Sequence, residues 1–219
     1  MIDDIVLIDK PAGMTSFGVV ARVRRVLSER ENRKIKVGHT GTLDPFATGL
    51  MILVTGKKCR EAGHYTKLDK WYEATICLGV TSSTGDTEGE LTQVSEIKPS
   101  RESIEQVLEQ FTGEIEQTPP VFSAIKINGQ RAYKLARQGK EIEMPARKVE
   151  IYVLELVDYD YPLIKIRTHV SSGTYIRTLA QDIGEKVGVG AYCQELRRTK
   201  IADFDVKSAK TLADLRIFS

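Results

Sequence analysis

The chain has 219 residues, 41% of them hydrophobic, and its 32 Lys and Arg nearly balance 30 Asp and Glu for a net charge of +2. That is enough apolar content for a full core, as one large domain or two small ones. Uninterrupted apolar stretches reach about five residues, far short of a membrane span, and Met1-Ile2-Asp3-Asp4 is acidic where a secretory signal is basic, so neither a membrane protein nor an exported one is expected.

Cys59, Cys77 and Cys193 are widely spaced, with no Cys-x-x-Cys pair and no histidine at ligand spacing. A disulfide framework and a zinc site are therefore not expected, and a reducing cytoplasm fits. Charge is segregated along the chain. Residues 10 to 36 carry eight Lys or Arg against Glu29 and Glu31, residues 82 to 119 carry nine Asp or Glu against Lys98 and Arg101, and residues 123 to 150 return to seven basic against three acidic. Two basic segments on either side of the acidic one point to a polyanionic partner, for which a phosphate backbone is the obvious candidate.

In chain order, Ile5-Val6-Leu7-Ile8 reads as a short buried strand, and Thr15-Ser16 can cap a helix from about Phe17 to Glu29. Val19, Val20, Val23, Val26 and Leu27 share one stripe of that helix, with Arg22, Arg25 and Arg30 largely opposite. The run from Gly38 to Gly49, Gly-His-Thr-Gly-Thr-Leu-Asp-Pro-Phe-Ala-Thr-Gly, is built for a shaped loop. Its glycines open unusual backbone angles, its threonines and His39 offer local hydrogen bonds, and Pro45 pushes Asp44 out of the helical region. Leu50-Met51-Ile52-Leu53-Val54 follows as a core strand that anchors the loop.

Residues 71 to 80 alternate Tyr72, Ala74, Ile76 and Leu78 with Trp71, Glu73, Thr75 and Cys77, a strand of period two, and Thr81 to Gly89 reads as a turn-rich loop. A second amphipathic helix starts near Ser100, buries Ile104, Val107, Leu108 and Phe111, and closes toward Gly113. Strands are expected at 148 to 157 and 162 to 170, joined through Asp158 to Tyr161, then a helix from about Tyr175 to Val187 with Gly188 after it. The pattern suggests an α+β fold with a mixed, mainly antiparallel sheet flanked by helices, in one domain over 1 to 219.

The Gly38 to Gly49 run resembles the catalytic loop of the TruB family of tRNA pseudouridine synthases, whose essential residue is an aspartate, here Asp44. The likeness continues in order along nearly the whole chain. Asp9 to Ser16 resembles the family's amino-terminal motif, in which Lys10 and Pro11 support the active-site loop. Lys70-Trp71-Tyr72-Glu73-Ala74 resembles the strand whose tyrosine lies against the target base. Thr118 to Lys126, with Gly129 and Tyr133 to Gly139, resembles the segment that grips the RNA stem-loop, about 117 to 147 here, where Arg131, Lys134 and Arg137 are expected RNA contacts. Ser171-Ser172-Gly173-Thr174-Tyr175-Ile176-Arg177 resembles the motif whose arginine pairs with the catalytic aspartate. Leu196-Arg197-Arg198 resembles a segment near the site, and His39 matches a residue that enters the RNA stack beside the flipped base. The resemblance implies conversion of uridine 55 in the tRNA T-loop to pseudouridine, by a cytoplasmic monomer with no obligate protein partner. Family members usually continue into a small RNA-binding module, often of the PUA type, and none is expected within this sequence, which reads to Ser219.

The chemistry agrees with the residue types. Breaking the N1 to C1′ bond, turning the uracil and rejoining it through C5 changes neither redox level nor water content, so no cofactor or metal is demanded. A carboxylate beside the sugar serves as nucleophile or base. Asp44 is the candidate, attacking C1′ or C6 or removing the 2′ proton. A cation such as Arg177 beside it would keep it ionised, and Tyr72 offers a ring on which an extruded base can stack. Rival readings are an RNA-guided synthase with a similar core and a tRNA-folding chaperone that needs no chemistry.

Overall fold

The computed structural model describes residues 3–123, 125–127, 129–136, 138–139 and 142–215. In chain order the first elements are β1 (Ile5–Lys10), α1 (Ser16–Arg30), β2 (Val37–His39), β3 (Thr48–Thr55), α2 (Ala62–Thr66) and β4 (Lys70–Leu78). A short hairpin of β5 (Val80–Ser82) and β6 (Leu91–Gln93) precedes α3 (Arg101–Glu109) and β7 (Gly113–Gln117). Then come β8 (Lys126–Ile127), β9 (Gln130–Arg131), α4 (Ala132–Ala136), β10 (Arg147–Asp160), β11 (Leu163–Val170), α5 (Ile176–Val187), β12 (Ala191–Ile201) and β13 (Phe204–Asp205). The chain divides into two compact units, residues 1–73 with 195–219 and residues 74–194, and β4 and β12 run through the two boundaries.

The first unit is organised by β3. Every residue from Gly49 to Thr55 is buried, so this strand is covered on both faces, as its unbroken apolar run demands. Antiparallel β1 lies along one edge, from Ile5 opposite Val54 to Lys10 opposite Gly49. The other edge changes partner: β2 pairs antiparallel with its end, His39 opposite Leu53, while β12 pairs parallel with its start, Arg197 opposite Thr48. Leu50, Ile52 and Val54 meet Tyr65 and Ile201 in the core. Helix α1 buries Val19, Val20 and Val23 and is capped as expected, Thr15 accepting from the Gly18 amide at 3.0 Å.

In the second unit the strands lie in the order β4, β11, β10, β7, all antiparallel where register is defined between β10 and its two neighbours. Helix α5 ends on Gly188, whose φ of 85° is the left-handed cap anticipated for it. Helix α3 is capped by Ser100 and buries Ile104 and Leu108, but it stops at Glu109, and Gly113, at φ 101°, instead opens β7. Strand β4 stops at Leu78 rather than residue 80, and from Ala74 onward both of its faces are buried. Strand β10 continues to Asp160, because the hairpin turns within Tyr161-Pro162 and leaves 158 to 160 free to pair with β11. The segment expected to be one loop, Thr81 to Gly89, holds the β5 end and the turn of the β5–β6 hairpin.

Candidate active site

The residues singled out in the sequence fall in both units. Lys10, His39, Asp44, Tyr72 and Leu196 belong to the first, Arg131, Lys134 and Arg177 to the second. Arg137 lies outside the described residues.

Asp44 sits on the loop that leaves β2 and returns as β3, at the place where the β3 edge passes from β2 to β12. Between those partners the carbonyls of Leu50 and Ile52 have no strand beside them, and buried carbonyls must be satisfied. Side chains and the loop do this. The Ile52 carbonyl accepts from both the backbone N–H and the hydroxyl of Thr40, at 3.2 and 3.1 Å. The Leu50 carbonyl accepts from Arg198 Nε at 2.8 Å, and the other guanidinium nitrogens reach the loop carbonyls of Thr42 and Gly41 at 3.4 and 3.3 Å. Arg198, 1% exposed, thus stitches the loop to the sheet from below.

The loop is held on its other side by β1 and the start of α1. Lys10, fully buried, donates from Nζ to the carbonyls of Pro11, Met14 and Pro45 at 2.8, 2.7 and 3.1 Å. The Gly13 amide also donates to Pro45 O, and Ser16 Oγ both accepts from Leu43 N and donates to Leu43 O at 2.8 Å. Residues 43 and 45 are therefore tied down on either side of Asp44, which is itself half-buried. Lys10 and Ser16 thus hold the two residues that flank Asp44.

Tyr72 is buried on β4, and the preceding carbonyl, that of Trp71, accepts from Thr199 of β12. Leu196 is buried on β12, its carbonyl accepting from Thr48 Oγ1 at 3.5 Å. His39 closes β2, half-buried. Next to Leu196, Arg197 forms a two-pronged ion pair with Asp9, at 2.7 and 3.1 Å, and the bond to that carboxylate raises the guanidinium pKa above its ordinary value. Lys70 donates to the carbonyls of Thr66 and Leu68, and burial, with the charge of Arg198 nearby, lowers its pKa to about 8.

In the second unit Arg177, in the first turn of α5, is 3% exposed. Its guanidinium donates to the carbonyls of Thr84 and Phe122 at 2.8 and 3.0 Å and pairs with Asp86 at 3.1 Å. Asp86 is equally buried, and its carboxylate accepts from Thr84 Oγ1 at 2.6 Å and Glu88 N at 2.9 Å. Arg131 and Lys134 are exposed on β9 and α4.

Asp86 and Arg198 carry structural weight here without having been singled out individually in the sequence. Asp86 falls in a turn-rich stretch with no periodicity to mark it. The only local signal was a carboxylate among Ser82, Thr84 and Gly85, the makings of a self-bonded turn.

A braced carboxylate loop in one unit and a buried, oriented arginine in the other invite comparison with known proteins. The family description "TruB family pseudouridylate synthase (N terminal domain)" matches residues 24–176, and "tRNA pseudouridylate synthase B C-terminal domain" matches residues 177–218. The chain belongs to the TruB family. Among its relatives, the tRNA pseudouridine synthase B of Azoarcus sp. (strain BH72) is 45% identical over 215 residues, covering 98% of this chain and 70% of the relative. That of Chloroherpeton thalassium is 45% identical over 214 residues, covering 97% of this chain and 88% of the relative. That of Aquifex aeolicus is 44% identical and covers 97% and 73%. Among solved structures, a chain of a Cbf5-Nop10-Gar1 complex superposes with a TM-score of 0.75 at 30% identity, covering 98% of this chain and 54% of that one. A chain of an H/ACA RNP bound to a substrate RNA containing 2′-deoxyuridine gives 0.72 at 28%, covering 98% and 53%. The TruB fold is thus a pseudouridine synthase fold, α+β with a mainly antiparallel sheet, as the residue pattern suggested. No helix among the described residues is long and apolar enough to cross a membrane.

Proposed function

We propose that this TruB-family enzyme converts uridine 55 in the T-loop of tRNA to pseudouridine, with Asp44 as nucleophile or base. The observation that carries the reading is the bracing of the Asp44 loop, in which Lys10, Ser16 and Arg198 tie down the residues on both sides of one half-buried carboxylate. Such preorganisation lets a carboxylate act on C1′, C6 or the 2′ proton without first paying to order its loop. Arg177 is assigned, from the family motif, to the charge of Asp44. Tyr72 stacks on the extruded uracil, Leu196 belongs to the substrate-binding residues near it, and His39 enters the RNA stack. Arg131, Lys134 and Arg137 contact phosphates of the T-arm. The enzyme works as a cytoplasmic monomer, and the reaction as balanced above calls for no cofactor and no metal.

Relatives named tRNA pseudouridine synthase B at 45% identity, against 30% for the Cbf5-containing structure, favour tRNA over a guide-directed target. The test is to mix the purified chain with unmodified tRNA and map new pseudouridines at nucleotide resolution, with Asp44→Asn in parallel. One modification at position 55, lost in Asp44→Asn with RNA affinity kept within several-fold, is the expected result. Turnover by Asp44→Asn in metal-free buffer refutes the role of Asp44. An effect on tRNA folding that survives Asp44→Asn, without any new pseudouridine, identifies a chaperone instead.

A further inference from the structure

The start of α5 has an unusual anchor. Tyr175, at the capping position, has no side-chain hydrogen bond to the first turn. Gln117, the last residue of β7 and only 1% exposed, instead holds the backbone of the capping residue itself. Its Oε1 accepts from the Tyr175 amide at 2.8 Å, and its Nε2 donates to the Tyr175 carbonyl at 3.0 Å. That carbonyl also accepts the first helical bond, from Leu179 N at 3.1 Å. Both polar backbone atoms of residue 175 are thus held by one buried amide, two residues before Arg177.

The register strengthens the clamp. Gln117 stands opposite Arg147 at the closing pair of β7 and β10. Arg147 in turn donates to the Gly173 carbonyl and lays its guanidinium over the Tyr175 ring, 5.0 Å from its centre. Arg177 is therefore fixed at both ends, its backbone by Gln117 and its guanidinium by Thr84, Phe122 and Asp86. A long side chain amplifies small errors at its root, because a few degrees of rotation in the first turn of α5 move the guanidinium by a sizeable fraction of a hydrogen-bond length. Such offsets are the kind that lower turnover without weakening substrate binding.

We propose that Gln117 is a positioning residue for Arg177, setting the backbone from which the guanidinium reaches its acceptors. This rests on the role assigned to Arg177 above. In Gln117→Leu, which keeps the volume and loses both bonds, kcat for T stem-loop RNA should fall at least tenfold while KM stays within about twofold. The side-chain Nε–H resonance of Arg177 should shift or broaden in the RNA-free chain. Ile164→Val, a core variant elsewhere in the unit, reports how activity responds to lost stability alone. Gln117→Glu keeps the acceptor for the Tyr175 amide but sets a second acceptor oxygen against the Tyr175 carbonyl, so kcat should fall there too, which provides a second variant if the first fails to fold. In an Arg177→Lys background, Gln117→Leu should cost less than twofold further, since both changes strike one device. An unshifted Arg177 resonance, a kcat kept within twofold, or full additivity with Arg177→Lys overturns the proposal. A parent chain that forms no pseudouridine refutes the proposed function instead, and the resonance still decides the clamp.

Discussion

Asp86 and Arg177 form a buried ion pair whose members are also bonded to neutral groups, Thr84 Oγ1 and Glu88 N for the carboxylate, two carbonyls for the guanidinium. Removing one charge from such a pair leaves the other buried against a weaker partner, which costs more than the pair contributes when intact. Asp86→Asn keeps the shape and should still destabilise the fold by about 3 kcal/mol, read as a lowered urea midpoint. An unfolding free energy within about 0.5 kcal/mol of the parent would mean that Arg177 does not depend on this carboxylate. Tyr72 offers a different test. If its ring matters through stacking, Tyr72→Phe should keep far more turnover than Tyr72→Ala; equal, severe losses would assign the work to the hydroxyl. At this scale the sequence was legible where chemistry is concentrated in a short run, as around Asp44. It was opaque for Asp86, Arg198 and Gln117, because what matters in each is a partner at least a dozen residues away, except for the turn bonds of Asp86.

Helices and strands follow their own periodicity closely where one face meets solvent. The α1 cap, the Gly188 stop of α5 and the buried run of β3 are all local chemistry and could be read directly. The ends of β4, α3 and β10 could not, since strand length depends on which neighbour is available to pair. Gly49 is a tertiary requirement of that kind. Its φ is 104°, and a Cβ there would stand 2.2 Å from the Arg198 carbonyl oxygen, at the parallel contact of β3 and β12. Gly49→Ala should cost at least about 2 kcal/mol and lower turnover with it, because the same junction carries the Asp44 loop. Thermal melting and activity measured on one preparation check both. Asp182 of α5 carries a pH signature: burial, with Glu185 nearby, raises its pKa to about 6 from an ordinary value of 3.8. The native state therefore holds a proton that the unfolded chain releases, and stability contributed by this group falls as pH rises from about 4 to about 6. Asp182→Asn should match the parent at pH 4 and exceed it at pH 7.5 by about 1 kcal/mol, a figure discounted for partial exposure. Equal melting temperatures at pH 7.5 would contradict the shift.

For the molecule as a whole a net charge of +2 says little, while its distribution says more. The acidic stretch falls on the β5–β6 hairpin, α3 and β7, and Arg131 and Lys134 stand exposed on β9 and α4. Charges on an exposed segment can engage phosphates without drawing the acidic surface toward them, provided contact is confined to one arm of the RNA. Recognition should then be local, and a T stem-loop of about seventeen nucleotides should serve as substrate, since folded loop shape and splayed bases are what such proteins read. Replacing Arg131 and Lys134 together by Gln should weaken whole tRNA and stem-loop alike and reduce the slope of log affinity against log salt by about 2, one per phosphate contact removed. Because those contacts position the RNA without reading its bases, the site of modification should not change. Binding titrations at four salt concentrations with both RNAs decide the matter. A stem-loop that is inert while whole tRNA is modified, or an unchanged salt slope, would move the RNA-binding surface away from β9 and α4 to another basic face, for which the arginines of α1 are the next candidates.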